Sequence, residues 1–203
     1  MKKDLIVIGG GGHFRSCLDV IETQGEFQVV GIVDMPEKKG DRVLGCTITA
    51  SEDDLPSLVN DHTWFLVTIG QIKTPEPRRR VFEKLKALGA QLAVIVSPLA
   101  HVSRHAEIGE GTIVMHHALV NAGARVGRNC IINTKALLEH DTVIGDHCHV
   151  ATASVVNGGV EVGNHTFIGS GTVIKQYVRI GSNLVVPAGE RVMRDMLESN
   201  GGN

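Results

Sequence analysis

From Val102 onward an aliphatic residue recurs at every sixth position. The series runs through Ile108, Val114, Val120, Val126, Ile132, Leu138 and Ile144, then Val150, Val156, Val162, Ile168, Ile174, Ile180, Val186 and Val192. With roughly a quarter to a third of residues aliphatic in an ordinary chain, sixteen such positions without a slip are not chance. Glycine follows at Gly109, Gly127, Gly145, Gly163 and Gly181, every eighteen residues. Three hexads therefore make one circuit, and the object is a three-sided parallel β-helix whose sides are short strands. Its coils stack about 4.8 Å apart, so five coils make a prism about 24 Å long. The spacing also predicts that the glycine corner carries a positive φ. The position four beyond each aliphatic residue is small (Ala118, Ala124, Cys130, Ala136, Cys148), which turns Cys130 and Cys148 inward as packing residues.

Composition removes several classes of function. A net charge of −2 and 3% aromatics give neither a basic surface nor a stacking platform, which excludes nucleic acid as the expected partner. No stretch approaches the roughly 18 apolar residues of a membrane span. The apolar run Leu5–Ile8 ends in glycines with no cleavage pattern, so it is not a signal peptide. The four cysteines form no CxxC pair and read as free thiols of a cytoplasmic protein.

Residues 1–95 follow another pattern, strand and helix in alternation, and the expected fold class there is an α/β, Rossmann-like parallel sheet. Leu5–Ile8 is a strand that runs into Gly9–Gly12 and His13, and Arg15–Glu22 reads as a helix. Val29–Val33 is a second strand ending at Asp34, and Trp64–Ile69 a third ending at Gly70. A helix follows Pro77, with Val81, Phe82, Leu85 and Leu88 on one face, and Ala93–Val96 is read as a fourth strand. The expected division is 1–95 and 96–203. A dinucleotide fingerprint anchored on Gly9 and Gly11 requires glycine where the chain has Phe14. The turn still offers backbone N–H groups to a phosphate at a helix N-terminus, and Asp34 offers an acceptor to a ribose or a base.

Coil arithmetic sorts the histidines. His147 and His165 share a corner column with Asn129 and Asn183, read as a solvated turn. His149 interrupts the column Ile113, Ile131, Phe167, Val185, a stripe expected to pack against a neighbouring subunit. His140 lies between Glu139 and Asp141, with Ala122 and Gly158 in its column, so small neighbours leave room beside an imidazole that a carboxylate can orient. Residue types alone leave His140 open between a general base and a structural role.

The hexad array resembles the hexapeptide-repeat acyltransferases, whose helices are left-handed and assemble as trimers. Joined to the small α/β unit, the segments GGGGH (9–13), IVDM (32–35), TIGQIKT (68–74), NTKALLEHD (133–141) and GDHCHVATASVVNGGVEVG (145–163) are similar to the bacillosamine/sialic-acid acetyltransferase family. The resemblance covers nearly the whole chain. It implies a left-handed helix that binds acetyl-CoA and an N-terminal domain that holds a UDP-linked 4-amino sugar in surface-glycan biosynthesis, within a homotrimer whose sites lie between subunits. By position, Gly11, Gly12, His13, Asp34, Met35 and Gly70 would contact the nucleotide sugar, Met35 standing where some relatives have a second acid. His140 would be the general base and Asp141 its tuning acid, in place of the more usual glutamate. His149, Gly158, Ser170 and Ala188 would line the coenzyme side, with an N–H of the Gly158–Gly159 turn as oxyanion donor.

Three alternatives accompany this reading. The same architecture serves O-acetylation of sialic- or legionaminic-type nonulosonic acids. The γ-type carbonic anhydrases are also hexapeptide helices, and His116, His117, His140 and His149 are the histidines a zinc site would draw on. Those enzymes lack the α/β half, so no metal is expected. A trimeric scaffold carrying a ligand sensor is the non-enzymatic alternative.

Overall fold

The computed structural model describes residues 2–197. Its first half runs β1 (Lys3–Ile8), α1 (Gly12–Gln24), β2 (Phe27–Val33), β3 (Arg42–Val43), β4 (Cys46–Ala50), α2 (Leu55–Leu58), β5 (Thr63–Val67), α3 (Glu76–Ala87) and β6 (Gln91–Leu92). The sheet order is β3-β4-β2-β1-β5-β6, parallel except for the β3–β4 pair. The carboxyl ends of β2, β1 and β5 therefore lie side by side, where a parallel sheet binds ligands. α1 stops at Gly25, whose φ of 75° closes the last turn with an N–H donated to the Ile21 carbonyl.

Seventeen two-residue strands follow, from β7 (Ile95–Val96) to β23 (Arg191–Val192), stacked as three parallel sheets of six, six and five strands. Each strand turns one residue in and one out. The inward column, from Val114 to Val192, joins Ala118, Ala124, Cys130, Ala136 and Cys148 in one continuous core. The three outward columns differ in chemistry, which names the faces. Ile95, Ile113, Ile131, His149, Phe167 and Val185 form a covered face. Leu119, Leu137, Val155 and Val173 form an apolar face. Glu107, Arg125, Glu161 and Arg179, with Val143 between them, form a charged one.

Four details differ from the sequence reading. The segment Ala93–Val96 is not a strand of the α/β sheet: β6 ends at Leu92, and Ile95–Val96 pairs with Ile113–Val114 as the first rung of the β-helix. Val96 lies six residues before Val102, so the hexad register begins one step earlier than the reading placed it. The glycine column owes nothing to positive φ. A Cβ on Gly109, Gly127, Gly145 or Gly163 would stand 2.6–2.9 Å from the carbonyl carbon of the glycine one coil on, so the coils approach there as only glycine permits. The left-handed residues come two positions later, at Gly111, Asn129, His147, His165 and Asn183, with φ between 53° and 72°. Asparagine tolerates that conformation far better than most side chains.

The third and fourth differences share a cause, the docking of the α/β domain. The upper rungs of the covered face pack against their own chain, where the sequence reading expected a neighbouring subunit, whereas Val185 at the far end is 51% exposed. Ile95, Ile113 and Ile131 have no exposed surface and lie with Leu5, Val7, Phe14, Cys17 and Ile21 in one cluster. Each such side chain contributes about 1.5–3 kcal/mol by leaving water. The corner at Asn129 and His147 is not solvated either. His147 is 3% exposed, with its ring edge-on to Phe82 of α3 at 5.2 Å and stacked on His165 at 5.3 Å. Its Nδ1 meets the Asn129 amide at 2.9 Å and its Nε2 lies 3.4 Å from Glu83.

Arg78 fixes the two halves to each other. It is fully buried, and among the described residues it meets no carboxylate and donates only to carbonyls: Val67 and Ile69 at the end of β5, and Asn129 and Gly111 at the β-helix corner. Burial pulls its pKa down to about 10, so it remains a cation at neutral pH.

Replacing Arg78 by Met strands these four carbonyls. The expected cost is about 3 kcal/mol, a fall of roughly 6–12 °C in the calorimetric midpoint; an unchanged midpoint would refute the anchoring role. Burial also lowers the His147 pKa from 6.5 to about 4, ahead of the repulsion from His165. The unfolded chain binds the extra proton first, so stability falls as pH drops through this window and is level above it. Thermal unfolding of His147→Asn between pH 4 and 7.5 should show a shallower pH dependence than the unsubstituted chain.

Candidate functional site

One large cavity opens at the carboxyl ends of the parallel strands, with a volume of about 1020 Å³. Its walls come from the glycine turn after β1, from Asp34–Lys38 after β2, from Ser51–Asp53 after β4, and from Thr68–Ile72 after β5. His149 of the covered face closes its inner end.

The glycine turn is built for close approach. Gly9 has a φ of 103° and its hypothetical Cβ would stand 2.8 Å from Ile69, so no other residue fits. A Cβ on Gly11 or Gly12 would meet nothing within 4 Å. Those two leave the first N–H groups of α1 open to the cavity, an arrangement that favours an anion. Asp34 is engaged from inside: it accepts from Gly10 N–H and Met35 N–H, each at 2.7 Å, and from Lys38 at 3.0 Å. Partial burial pushes its pKa up, but these donors outweigh it and hold the carboxyl below its usual range. Met35 is 53% exposed on the same rim, and Gly70 packs against the His13 side chain.

At the inner end every ring is neutral. His149 donates from Nδ1 to the Gln71 carbonyl at 2.6 Å and accepts at Nε2 from Asn133 at 3.0 Å. Both nitrogens are engaged, and burial lowers its pKa to about 4. His13, 6.5 Å away between ring centres, is lowered by burial to about 3. The His13 Nε2 and the Gln71 carboxamide are buried without a protein partner.

His140 stands elsewhere, on the edge between the apolar and charged faces, diametrically opposite the covered face. Its Nδ1 lies 2.9 Å from Asp141 Oδ2, so the ring presents Nδ1–H to the carboxylate and leaves the Nε2 lone pair free. Asp141 reaches this position through a φ of 58°, and the absence of a side chain on Gly123 leaves space for its carboxylate. A Cβ on Gly158 would stand 2.5 Å from His140 Nε2. The niche beside the imidazole is thus one that any larger residue would fill. In the turn below, Gly159 N–H is taken by the His140 carbonyl at 3.0 Å, whereas Gly158 N–H has no acceptor among the described residues.

The structure thus gathers Gly11, Gly12, His13, Asp34, Met35, Gly70 and His149 around one cavity, and His140, Asp141 and Gly158 around a second centre. Ser170 and Ala188 are exposed on a third edge, in the column of His116, Thr134 and Thr152. His116 is tied between Ser97 at 2.6 Å and Asp19 of α1 at 2.8 Å. Among the described residues no three His, Cys, Asp or Glu side chains converge on a metal position. Gln71 and Arg78 were missed by the sequence reading. Arg78 lies three residues before Val81 and four before Phe82, on the apolar stripe of α3, which is the signal that marks it as buried. Gln71 carries no such signal.

Comparison with known proteins bears on this architecture. Residues 4–85 match the PglD N-terminal domain and residues 141–176 the bacterial transferase hexapeptide repeat. A histidine-to-asparagine variant of perosamine N-acetyltransferase from Caulobacter crescentus, in complex with CoA and GDP-perosamine, is 34% identical. That alignment covers 97% of this chain and 91% of the other, with a TM-score of 0.90. The acetyltransferase domain of PglB from Neisseria gonorrhoeae, in complex with acetyl coenzyme A, is 28% identical over 98% and 94% of the two chains, with a TM-score of 0.89. WeeI from Acinetobacter baumannii, 22% identical over 96% and 93% with a TM-score of 0.79, shares the fold. No curated protein sequence matches significantly. This chain, an α/β domain on a left-handed hexapeptide helix, is an acetyltransferase and belongs to the bacillosamine/sialic-acid acetyltransferase family.

Proposed function

We propose that the chain transfers the acetyl group of acetyl-CoA to the amino group of a UDP- or GDP-linked amino sugar, with His140 as general base. The observation that carries this reading is the niche at His140: an imidazole with Nδ1 fixed by Asp141, a free Nε2, and an unclaimed Gly158 N–H alongside. Nε2 accepts the amine proton as the nitrogen attacks the thioester carbonyl, and the imidazolium formed is held by Asp141. The Gly158 N–H donates to the oxygen that gathers charge. The acyl donor is the group that the 28% and 34% identical structures hold as acetyl coenzyme A or CoA, and the acceptor is of the class the Caulobacter enzyme holds as GDP-perosamine. The nucleotide sugar occupies the cavity over the sheet, its pyrophosphate at the N-terminus of α1 and Gly11, Gly12, His13, Asp34, Met35 and Gly70 around it. Both substrates are cytoplasmic metabolites, a setting that suits four free cysteines. Among the described residues no helix is long and apolar enough to cross a membrane.

The acceptor cavity and His140 of one chain lie on opposite sides of the prism, so the reaction needs a second copy. The apolar face supports a homotrimer. Leu119, Leu137 and Val155 are only half-buried and Val173 is 38% exposed, whereas the adjacent face is charged. Closing copies on it brings His140 of one subunit to the His149 end of the next subunit's cavity, with Ser170 and Ala188 along the coenzyme groove between them.

A panel of UDP-amino sugars, GDP-perosamine and nonulosonic acids, assayed for acetyl-CoA-dependent product, should give an N-acetylated nucleotide sugar. Product only from nonulosonic acids would establish the O-acetyl alternative instead. His140→Ala should lower kcat by about 10²–10⁴ while CoA binding by calorimetry is retained; an unaffected kcat would remove His140 from the chemistry. Sedimentation equilibrium at micromolar concentration should return a trimer, and a monomer would contradict the shared site.

A further inference from the structure

On the edge that carries His140, each coil turns through one left-handed residue: Gly123 at φ 76°, Asp141 at 58°, Gly159 at 66° and Tyr177 at 61°. Glycine adopts that conformation freely and aspartate tolerates it, but for a bulky aromatic residue it is a strained outlier. Other corners hold non-glycine residues in the same conformation, among them Lys135, His147, Ala153 and His165, and Tyr177 is the bulkiest of them. Tyr177 is 73% exposed, and its hydroxyl has no hydrogen-bond partner among the described residues. The ring is nonetheless placed. Its edge lies against Gly159, where a Cβ would stand 2.5 Å from the ring carbon Cε1, and its N–H donates to the Gly158 carbonyl at 3.0 Å. Tyr177 therefore belongs two coils beyond His140, and its ring leans over the Gly158–Gly159 turn of the coil between them.

A strained, solvent-facing aromatic over the Gly158–Gly159 turn is placed to meet a molecule bound along that edge. We infer that Tyr177 packs against the pantetheine arm of the coenzyme. This rests on the acetyl-CoA reading above. Ser170 lies on the same coil as Tyr177 and Ala188 one coil further on, so an arm that delivers its thioester at His140 and runs on past Ser170 crosses the level of the tyrosine. An apolar chain broken by amide groups is the chemistry that an aromatic face accommodates.

Binding of free CoA, measured by calorimetry on the intact protein, tests the assignment. Tyr177→Gly should weaken CoA about tenfold, Tyr177→Phe should restore the affinity, and the KM for the acceptor should not move. Because glycine relieves the strain, the thermal midpoint of Tyr177→Gly should equal or exceed that of the unsubstituted protein, with the sedimentation behaviour unchanged. Undiminished CoA binding by Tyr177→Gly would overturn the inference and leave the acetyltransfer reading intact. A lowered midpoint or a dissociated assembly would equally overturn it, by assigning the ring a structural role. Failure of the unsubstituted protein to bind CoA would overturn both.

Discussion

The coils of the β-helix meet so closely at one corner that a methyl group has no room between them. The glycines at 109, 127, 145 and 163 exist for that contact, and a ladder of backbone hydrogen bonds continues it along all three faces. Such stacking leaves no freedom of register: whatever stands eighteen residues away in sequence stands directly above or below. His140 is flanked by Ala122 and Gly158 for that reason, and Asp141 has space for its carboxylate because Gly123 precedes it by one coil. The niche beside His140 is a local thinning of a periodic wall.

The second constraint is the seating of the α/β domain on one face of the prism. α1 and the sheet cover the upper part of the Ile113–Val185 column, and the corner beside it is closed by Phe82 and Arg78. This seating decides the chemistry of the histidines. His147 and His149 are kept neutral by burial, and His149 has both nitrogens engaged. His140, on the uncovered edge, retains a free nitrogen. Three imidazoles within ten residues of sequence thus have three environments, and of the three only His140 keeps a ring nitrogen without a partner among the described residues.

Much of this was legible in the sequence, because a six-residue period with inward small residues admits one kind of winding and the winding dictates every column. The place of His140 among small neighbours followed from the same arithmetic, and the glycine turn after β1 from the alternation of strand and helix in the first half. What the period does not encode is which face another domain covers. The stripe around His149 reads as apolar and outward whether it meets a neighbour or its own α/β half, and the His147 corner reads as solvated until α3 is laid on it. The glycine column was assigned to backbone conformation since a sequence shows that glycine recurs but not whether φ or crowding demands it. Ile95–Val96 belonged to the period yet was read with the preceding strands, because an apolar dipeptide at a junction fits either pattern. The orphaned carboxamide of Gln71 had no periodic context to reveal it.

A guanidinium that grips the end of β5 with one side and a coil corner with the other leaves no hinge between the two halves. Closing of one lobe on another, common among two-lobed enzymes, would here have to break those hydrogen bonds. The cavity at the carboxyl ends of the strands is already formed within one chain. Variation in what the cavity accepts falls to the loops after β2 and β4, the parts of its wall that Arg78 does not touch.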